Sequence, residues 1–208
     1  MKNTTLGEMF HFNGLDIELH LEVYDPAEDS FLLLETLHID PGDAVLEIGT
    51  GCGFIALECA RQGAHVICTD INPFAVTLAK HNIKRNQHLL KGDIEVRKGD
   101  LFSVIKEGEV FDVIVFNPPY LPTSEEETVD RWFDVSTDGG KDGLAVTKRF
   151  IAGVRACLSQ NGRAYFVFST LSNRSKLENY FKQKKIKYEV VSHSRFDSEV
   201  IEIYCLRR

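Results

Sequence analysis

The residues best suited to chemistry in this chain are Asn117-Pro118-Pro119-Tyr120, which close the apolar run Val113-Ile114-Val115-Phe116. Val, Ile and Phe suit a buried strand, while each proline removes a backbone donor and presses the residue before it into an extended conformation. The strand therefore stops in a rigid corner. The Asn117 side-chain oxygen and the Pro118 carbonyl are two acceptors that can take the two hydrogens of one planar NH2 group. An amide nitrogen is a poor nucleophile because its lone pair is delocalised into the carbonyl, so a site that uses it must hold it in line and reduce that delocalisation. The prolines fix the second acceptor, and the Tyr120 ring offers a flat apolar wall. Positioning of this kind contributes on the order of 7 to 11 kcal/mol in favourable intramolecular cases, so no dedicated base is needed. For these four residues alone, a proline-rich turn in which Asn117 bonds its own loop is the plain alternative.

Glu47-Ile48-Gly49-Thr50-Gly51-Cys52-Gly53 leads from a strand into a helix. Glycines here let the backbone turn tightly against a ligand at the helix N-terminus. A dinucleotide-binding turn would place its third glycine at position 54, which is Phe; the spacing is G-x-G-x-G with an acid just before it. The next strand ends in Asp70, where such folds place an acid to grip ribose hydroxyls. Asp70-Ile71-Asn72-Pro73 also suits a helix start with Asn72 as N-cap, and for Asp70 by itself the two readings are even. The third strand ends at Asp100-Leu101, so each strand of this half delivers a polar residue at its carboxyl end.

The elements that position these residues alternate. Apolar runs over 44–48, 65–69, 94–97, 111–116 and 163–168 read as strands, with helical patterns over 54–61, 74–86, 147–158 and 175–184 between them. That alternation predicts an α/β fold: a mostly parallel sheet, helices on both faces and ligands at the carboxyl ends of the strands. Runs over 188–193 and 200–206 leave no room for a helix between them and predict an antiparallel hairpin at one edge. At the start, alternating segments flank Asn13-Gly14, a strong hairpin signal. Asp25 as N-cap, Pro26 at the first helical position and Glu28 as capping-box partner predict a helix through Leu37. The expected organisation is one domain, with a hairpin extension over 1–22 and a catalytic core over 23–208.

Bulk properties narrow the class. A net charge of -7 gives no global attraction to phosphate backbones. Five cysteines without close pairs match neither a zinc site nor a secreted disulfide framework. With no signal-like opening and no apolar run of about 20 residues, a cytoplasmic protein without a membrane span is expected.

Taken together, Glu47 to Gly53, Asp70, Asp100-Leu101 and Asn117-Pro118-Pro119-Tyr120 resemble the class I S-adenosylmethionine-dependent methyltransferases that act on planar amide or amino nitrogens. Val23-Tyr24-Asp25-Pro26-Ala27-Glu28-Asp29-Ser30-Phe31 and Gly139-Gly140-Lys141-Asp142-Gly143 are similar to the HemK-like protein glutamine N5-methyltransferases, in the short archaeal and eukaryotic branch acting on class 1 release factors. The resemblance implies a Rossmann-like seven-stranded sheet with one antiparallel edge strand and S-adenosyl-L-methionine as cofactor. Glu47, Gly49 and Gly51 would hold the methionine part and its turn, Asp70 the ribose, and Asp100 with Leu101 the adenine. Tyr24, Glu28 and Ser30 would close over the amino-acid end. Asn117, Pro118, Pro119 and Tyr120 would bind the substrate nitrogen, with Asn117, Pro118 and Tyr120 carrying the transfer. The bacterial enzymes have a separate helical N-terminal domain, for which this chain has no room. In the short branch a small zinc-binding activator protein pairs with the enzyme, and the edge strand around Ile94 to Arg97 is its expected dock.

The same corner serves glutamine, adenine N6 in DNA and guanine N2 in RNA, so the motif leaves the nitrogen open. Residues 121–142 hold Glu125, Glu126, Glu127, Asp130, Asp134, Asp138 and Asp142 against Arg131 and Lys141, a local charge of -5 from seven acids and two bases. Such a rim favours a basic protein loop over a phosphate backbone, although charge runs are usually solvated faces. Lys182-Gln183-Lys184-Lys185-Ile186-Lys187 is a basic counterweight that keeps nucleic acid open. His11, His65, His81 and His193 lack metal-like spacing.

Overall fold

The computed structural model describes residues 7–124, 131–196 and 198–208. Its centre is a seven-stranded sheet in the order β5-β4-β3-β6-β7-β9-β8. These strands are β3 (Ala44–Ile48), β4 (His65–Asp70), β5 (Asp93–Lys98), β6 (Phe111–Phe116), β7 (Leu158–Ser169), β8 (Tyr188–Phe196) and β9 (Glu199–Arg207). β3 pairs in parallel with β4 and β6, β4 with β5, and β6 with β7. β9 is antiparallel to both β7 and β8, so the antiparallel element stands at that edge of the sheet, one place in. No helix follows β8, and only a tight turn can return the chain there.

Alternation within strands sorts two cores. Val45, Val113 and Val115 face one layer, and Leu46, Ile48, Ile114 and Phe116 the other. The first layer is covered by α1 (Glu28–Thr36), α2 (Phe54–Gln62) and α3 (Pro73–Asn86), the second by α5 (Ala145–Cys157) and α6 (Arg174–Lys184). A short α4 (Trp132–Val135) lies in the segment after the proline corner. The chain order reverses beside β3, which carries the first crossover to β4 while β6 lies on its other side. Such a point opens a crevice above the strand ends.

The N-terminal hairpin, β1 (Met9–Phe12) with β2 (Leu15–Glu18), is fastened to α3 by side-chain amides. Buried Asn82 and Asn86, one turn apart, each accept from a β2 backbone N–H and donate to a β2 carbonyl, of Glu18 and Asp16 respectively. The hairpin thereby carries Val23 and Tyr24 to the mouth of the crevice. One local expectation fails: α1 starts at Glu28 with extended Ala27 at its N-cap and no side-chain cap, so Asp25 and Glu28 form no capping box. The chain before the helix, extended at Ala27, places Tyr24 and Pro26 at the cavity, and tertiary placement overrides the local capping signal. Asn72, by contrast, caps α3, accepting from Phe74 N at 2.9 Å with Pro73 next.

Candidate active site

A cavity of about 480 Å³ opens at the carboxyl ends of β3, β4 and β6. The turn after β3 forms its floor, with Gly49, Gly51 and Gly53 at φ 67°, 56° and 86°. Only glycine adopts three such angles cheaply, and Gly49 and Gly51 of this turn line the cavity. Glu47, 4% exposed, ends β3 beneath the turn. Its Oε2 accepts from Thr50 Oγ1 at 2.6 Å and from the backbone N–H of Ala56, in the first turn of α2, at 3.1 Å. Burial nevertheless pushes its carboxyl up to about 8, with the Asp70 charge adding to the rise.

Asp70 at the end of β4 is held square to the turn. Its Oδ2 accepts from Gly51 N and its Oδ1 from Asn72 N, each at 2.9 Å, so each oxygen keeps a second acceptor direction. Desolvation raises its pKa, against the pull of those N–H groups. Beyond β5, Leu101 is a non-glycine residue at φ 49°, a strained conformation of the kind that gathers at binding sites. It lines the cavity beside Asp100, whose Oδ2 accepts from Arg149 Nη2 at 2.6 Å.

The Asn117-Pro118-Pro119-Tyr120 corner forms the far wall. Asn117 Nδ2 donates to Asp29 Oδ2 at 3.0 Å, as does the Tyr120 hydroxyl at 3.1 Å, while Asn117 Oδ1 is buried with no hydrogen-bond partner among the described residues. An orphaned buried carbonyl oxygen costs about 1 to 3 kcal/mol, a penalty that a donor brought by a ligand would relieve. Among the described residues no backbone donor reaches the Pro118 carbonyl either. The corner is braced from behind. A Cβ on Gly143 would fall 2.5 Å from the Tyr120 carbonyl oxygen and 2.6 Å from Ser172 Oγ, which itself donates to that carbonyl at 2.7 Å.

Of the residues singled out in the sequence, Tyr24, Ser30, Glu47, Gly49, Gly51, Asp70, Asp100, Leu101, Asn117, Pro118, Pro119 and Tyr120 all line this one cavity. Glu28 does not; it stands at the first turn of α1 outside the cavity lining, and its neighbour Asp29 takes the inward place at 3% exposure. Asp29 carries no role in the sequence motifs above, yet a signal existed: it lies four residues before buried Leu33, on the inward stripe of α1. Arg149, Trp132 and Glu199 also line the cavity, and none of them belongs to a motif singled out in the sequence. Of the acidic segment, Glu125, Glu126, Glu127 and Asp130 lie outside the described residues. Asp134 and Asp138 accept from nearby backbone N–H groups, and Asp142 is paired with Lys148 and Lys176.

The family described as Methyltransferase small domain matches residues 24–196. The chain belongs to that family. It is 40% identical over 196 residues to the Methanocaldococcus jannaschii protein named "Putative protein N5-glutamine methyltransferase", covering 94% of this chain and 96% of the relative. It is 31% identical over 175 residues to human "Methyltransferase HEMK2", covering 80% of each. Its fold is similar, at TM-score 0.68 and 21% identity over 90% of this chain and 99% of the other, to the E. cuniculi Mtq2-Trm112 complex, described as methylating the eRF1 translation termination factor. The methyltransferase cofactor is S-adenosylmethionine, and the cavity fits it: the turn at Gly49 and Gly51 lines it, buried Asp70 has spare acceptor capacity for hydroxyls, and the buried Glu47 carboxyl would gain from a cationic amino-acid end the partner that favours its ionised form.

Proposed function

We propose that this methyltransferase methylates the side-chain N5 nitrogen of a glutamine, in the Gly-Gly-Gln loop of a class 1 translation release factor. The observation that carries the reading is that Asn117, a residue lining the cavity, keeps a buried Oδ1 with no partner among the described residues, an acceptor that a substrate N–H entering beside it would satisfy. Glu47, Gly49 and Gly51 hold the methionine end of the cofactor, Asp70 its ribose, Asp100 and Leu101 its adenine, and Tyr24 and Ser30 close over the amino-acid end. When bound, S-adenosylmethionine supplies an electrophilic methyl group on a positively charged sulfur.

Asn117 Oδ1 and the Pro118 carbonyl take the two hydrogens of the substrate NH2, twisting its lone pair away from the substrate carbonyl and toward the cofactor. Held so, the nitrogen's electron pair would be free to accept the methyl group that the cofactor would supply, and one N–H proton would leave to water. Tyr120 bounds the slot. Burial and the Asp29 charge raise its phenol pKa, so it stays a protonated donor and serves as no base.

The name of the M. jannaschii relative supports a glutamine acceptor, and the E. cuniculi complex supports a release factor and a partner subunit. For this chain that partner is a small zinc-binding activator, and edge strand β5 is its natural dock. A nucleic-acid amine is the competing acceptor, but none of Lys182, Lys184, Lys185 and Lys187 lines the cavity. No helix of the described residues is long and apolar enough to cross a membrane. The whole chain acts as one catalytic unit.

Replacing Asn117 with Ala tests the assignment. Turnover is expected to fall by about 100-fold or more, the typical loss of one preorganised polar contact to the reacting group, with cofactor affinity little changed. Unchanged turnover would remove Asn117 from the mechanism.

A further inference from the structure

We propose that Asp29 is the positioning residue of the transfer: it locks the Asn117 amide in the one orientation that works and strengthens its acceptor oxygen. The inference rests on the amide or amine N-methylation read above. An asparagine side chain can turn over and exchange its oxygen for its NH2, and a flipped Asn117 would meet a substrate NH2 with donors against donors. A carboxylate accepts only. By taking Asn117 Nδ2 at 3.0 Å, Asp29 forces Oδ1 to the opposite side, where it stands buried and unpartnered.

The carboxylate is itself over-determined. Its Oδ2 also accepts from the hydroxyls of Tyr120, at 3.1 Å, and Tyr24, at 3.4 Å, and its Oδ1 from the backbone N–H and hydroxyl of Ser30, at 2.7 and 3.2 Å. Five donors from α1, the segment before it and the proline corner converge on one side chain, so closing the N-terminal segment over the cavity and aiming Asn117 are a single event.

The charge has a second consequence. An anion bonded to the amide NH2 draws electron density through the conjugated group toward Oδ1, and hydrogen bonds in series strengthen one another. The substrate nitrogen turns positive as it is methylated, before its proton departs. The polarised Oδ1 meets its N–H at that moment, so Asp29 acts more on the transition state than on substrate binding.

The test is an exchange across the hydrogen bond. Asp29→Asn keeps the shape but lets the side chain at position 29 present its NH2 to Asn117, favouring the flip; kcat, read at saturating cofactor, is expected to fall by about 100-fold while the substrate KM stays within a few-fold. Asn117→Asp alone opposes two carboxylates and is also expected to be nearly inactive. The double variant, Asp29→Asn with Asn117→Asp, restores the pair in reverse. The new amide at position 29 donates to the new carboxylate at position 117, whose other oxygen faces the substrate, and kcat should recover at least tenfold over either single change. Asp29→Glu, which keeps the charge, should retain more activity than Asp29→Asn. A residue needed only for folding would give none of this pattern. Near-normal kcat in Asp29→Asn, or a double variant no better than the singles, overturns the proposal. The kinetics are read on whichever planar amine the wild-type chain methylates. Labelling of nucleic acid alone would thus reject the glutamine substrate while still testing Asp29.

Discussion

Burial keeps the Glu47 carboxyl protonated to about pH 8 in the folded protein, against an ordinary glutamate value near 4.5. A carboxyl raised on folding holds its proton in the native state while the unfolded chain has already lost it, so the site costs stability as pH rises from about 4.5 to 8. Glu47→Gln is therefore expected to melt at a temperature equal to wild type near pH 5 and higher at pH 8, measured without cofactor. Parallel pH profiles would contradict the assignment. Residues of this kind were legible in sequence because strand ends announce themselves: Glu47, Asp70 and Asn117 each follow an apolar run and each lines the cavity. For Asp29 only its inward place on α1 was legible, because its bonds to Asn117 and Tyr120 join positions 88 and 91 apart, which no local spacing encodes. Arg149, on the unremarkable face of an amphipathic helix, was hidden for the same reason.

At the scale of elements, the loop Gly139-Gly140-Lys141-Asp142-Gly143 is a brace. Gly139 N donates to Leu121 O, Leu121 N donates to Thr137 O, and Gly143, at φ 71°, presses on the Tyr120 carbonyl. A methyl group at 143 has no room and the wrong backbone angle. Gly143→Ala is expected to cost about 1 to 2 kcal/mol of stability from the left-handed conformation alone and to lower kcat with little change in cofactor affinity. A variant with wild-type melting and turnover would show the brace to be dispensable. Strands and helices emerged from the sequence within a few residues because their apolar periods differ, whereas the strand order was not legible there. The start of α1 did not: Asp25-Pro26 carries a local helix signal, whereas the helix begins only at Glu28, where the chain has already crossed the cavity mouth.

The molecule as a whole divides its work across the sheet. Carboxyl ends of β3, β4 and β6 face the cavity, β5 offers an open edge on one side, and the exposed lysines at the end of α6 lie toward the other. On β5, Arg97 binds Glu95 and Glu109, holding the Glu109 carboxyl down at about 2 and keeping this edge charged rather than apolar. An activator docking there would pair backbone with backbone. Sequence and fold alike leave the acceptor to chemistry, since a slot for a planar NH2 does not distinguish glutamine from a nucleobase. Transfer of labelled methyl from S-adenosylmethionine, offered side by side to a release factor bearing Gly-Gly-Gln, to duplex DNA and to ribosomal RNA, tests the central claim most directly. It should be run with and without a small activator of the kind proposed above. The expected result is label on the release factor, abolished when its glutamine is replaced by alanine; label confined to nucleic acid, or persisting on the alanine variant, would contradict it.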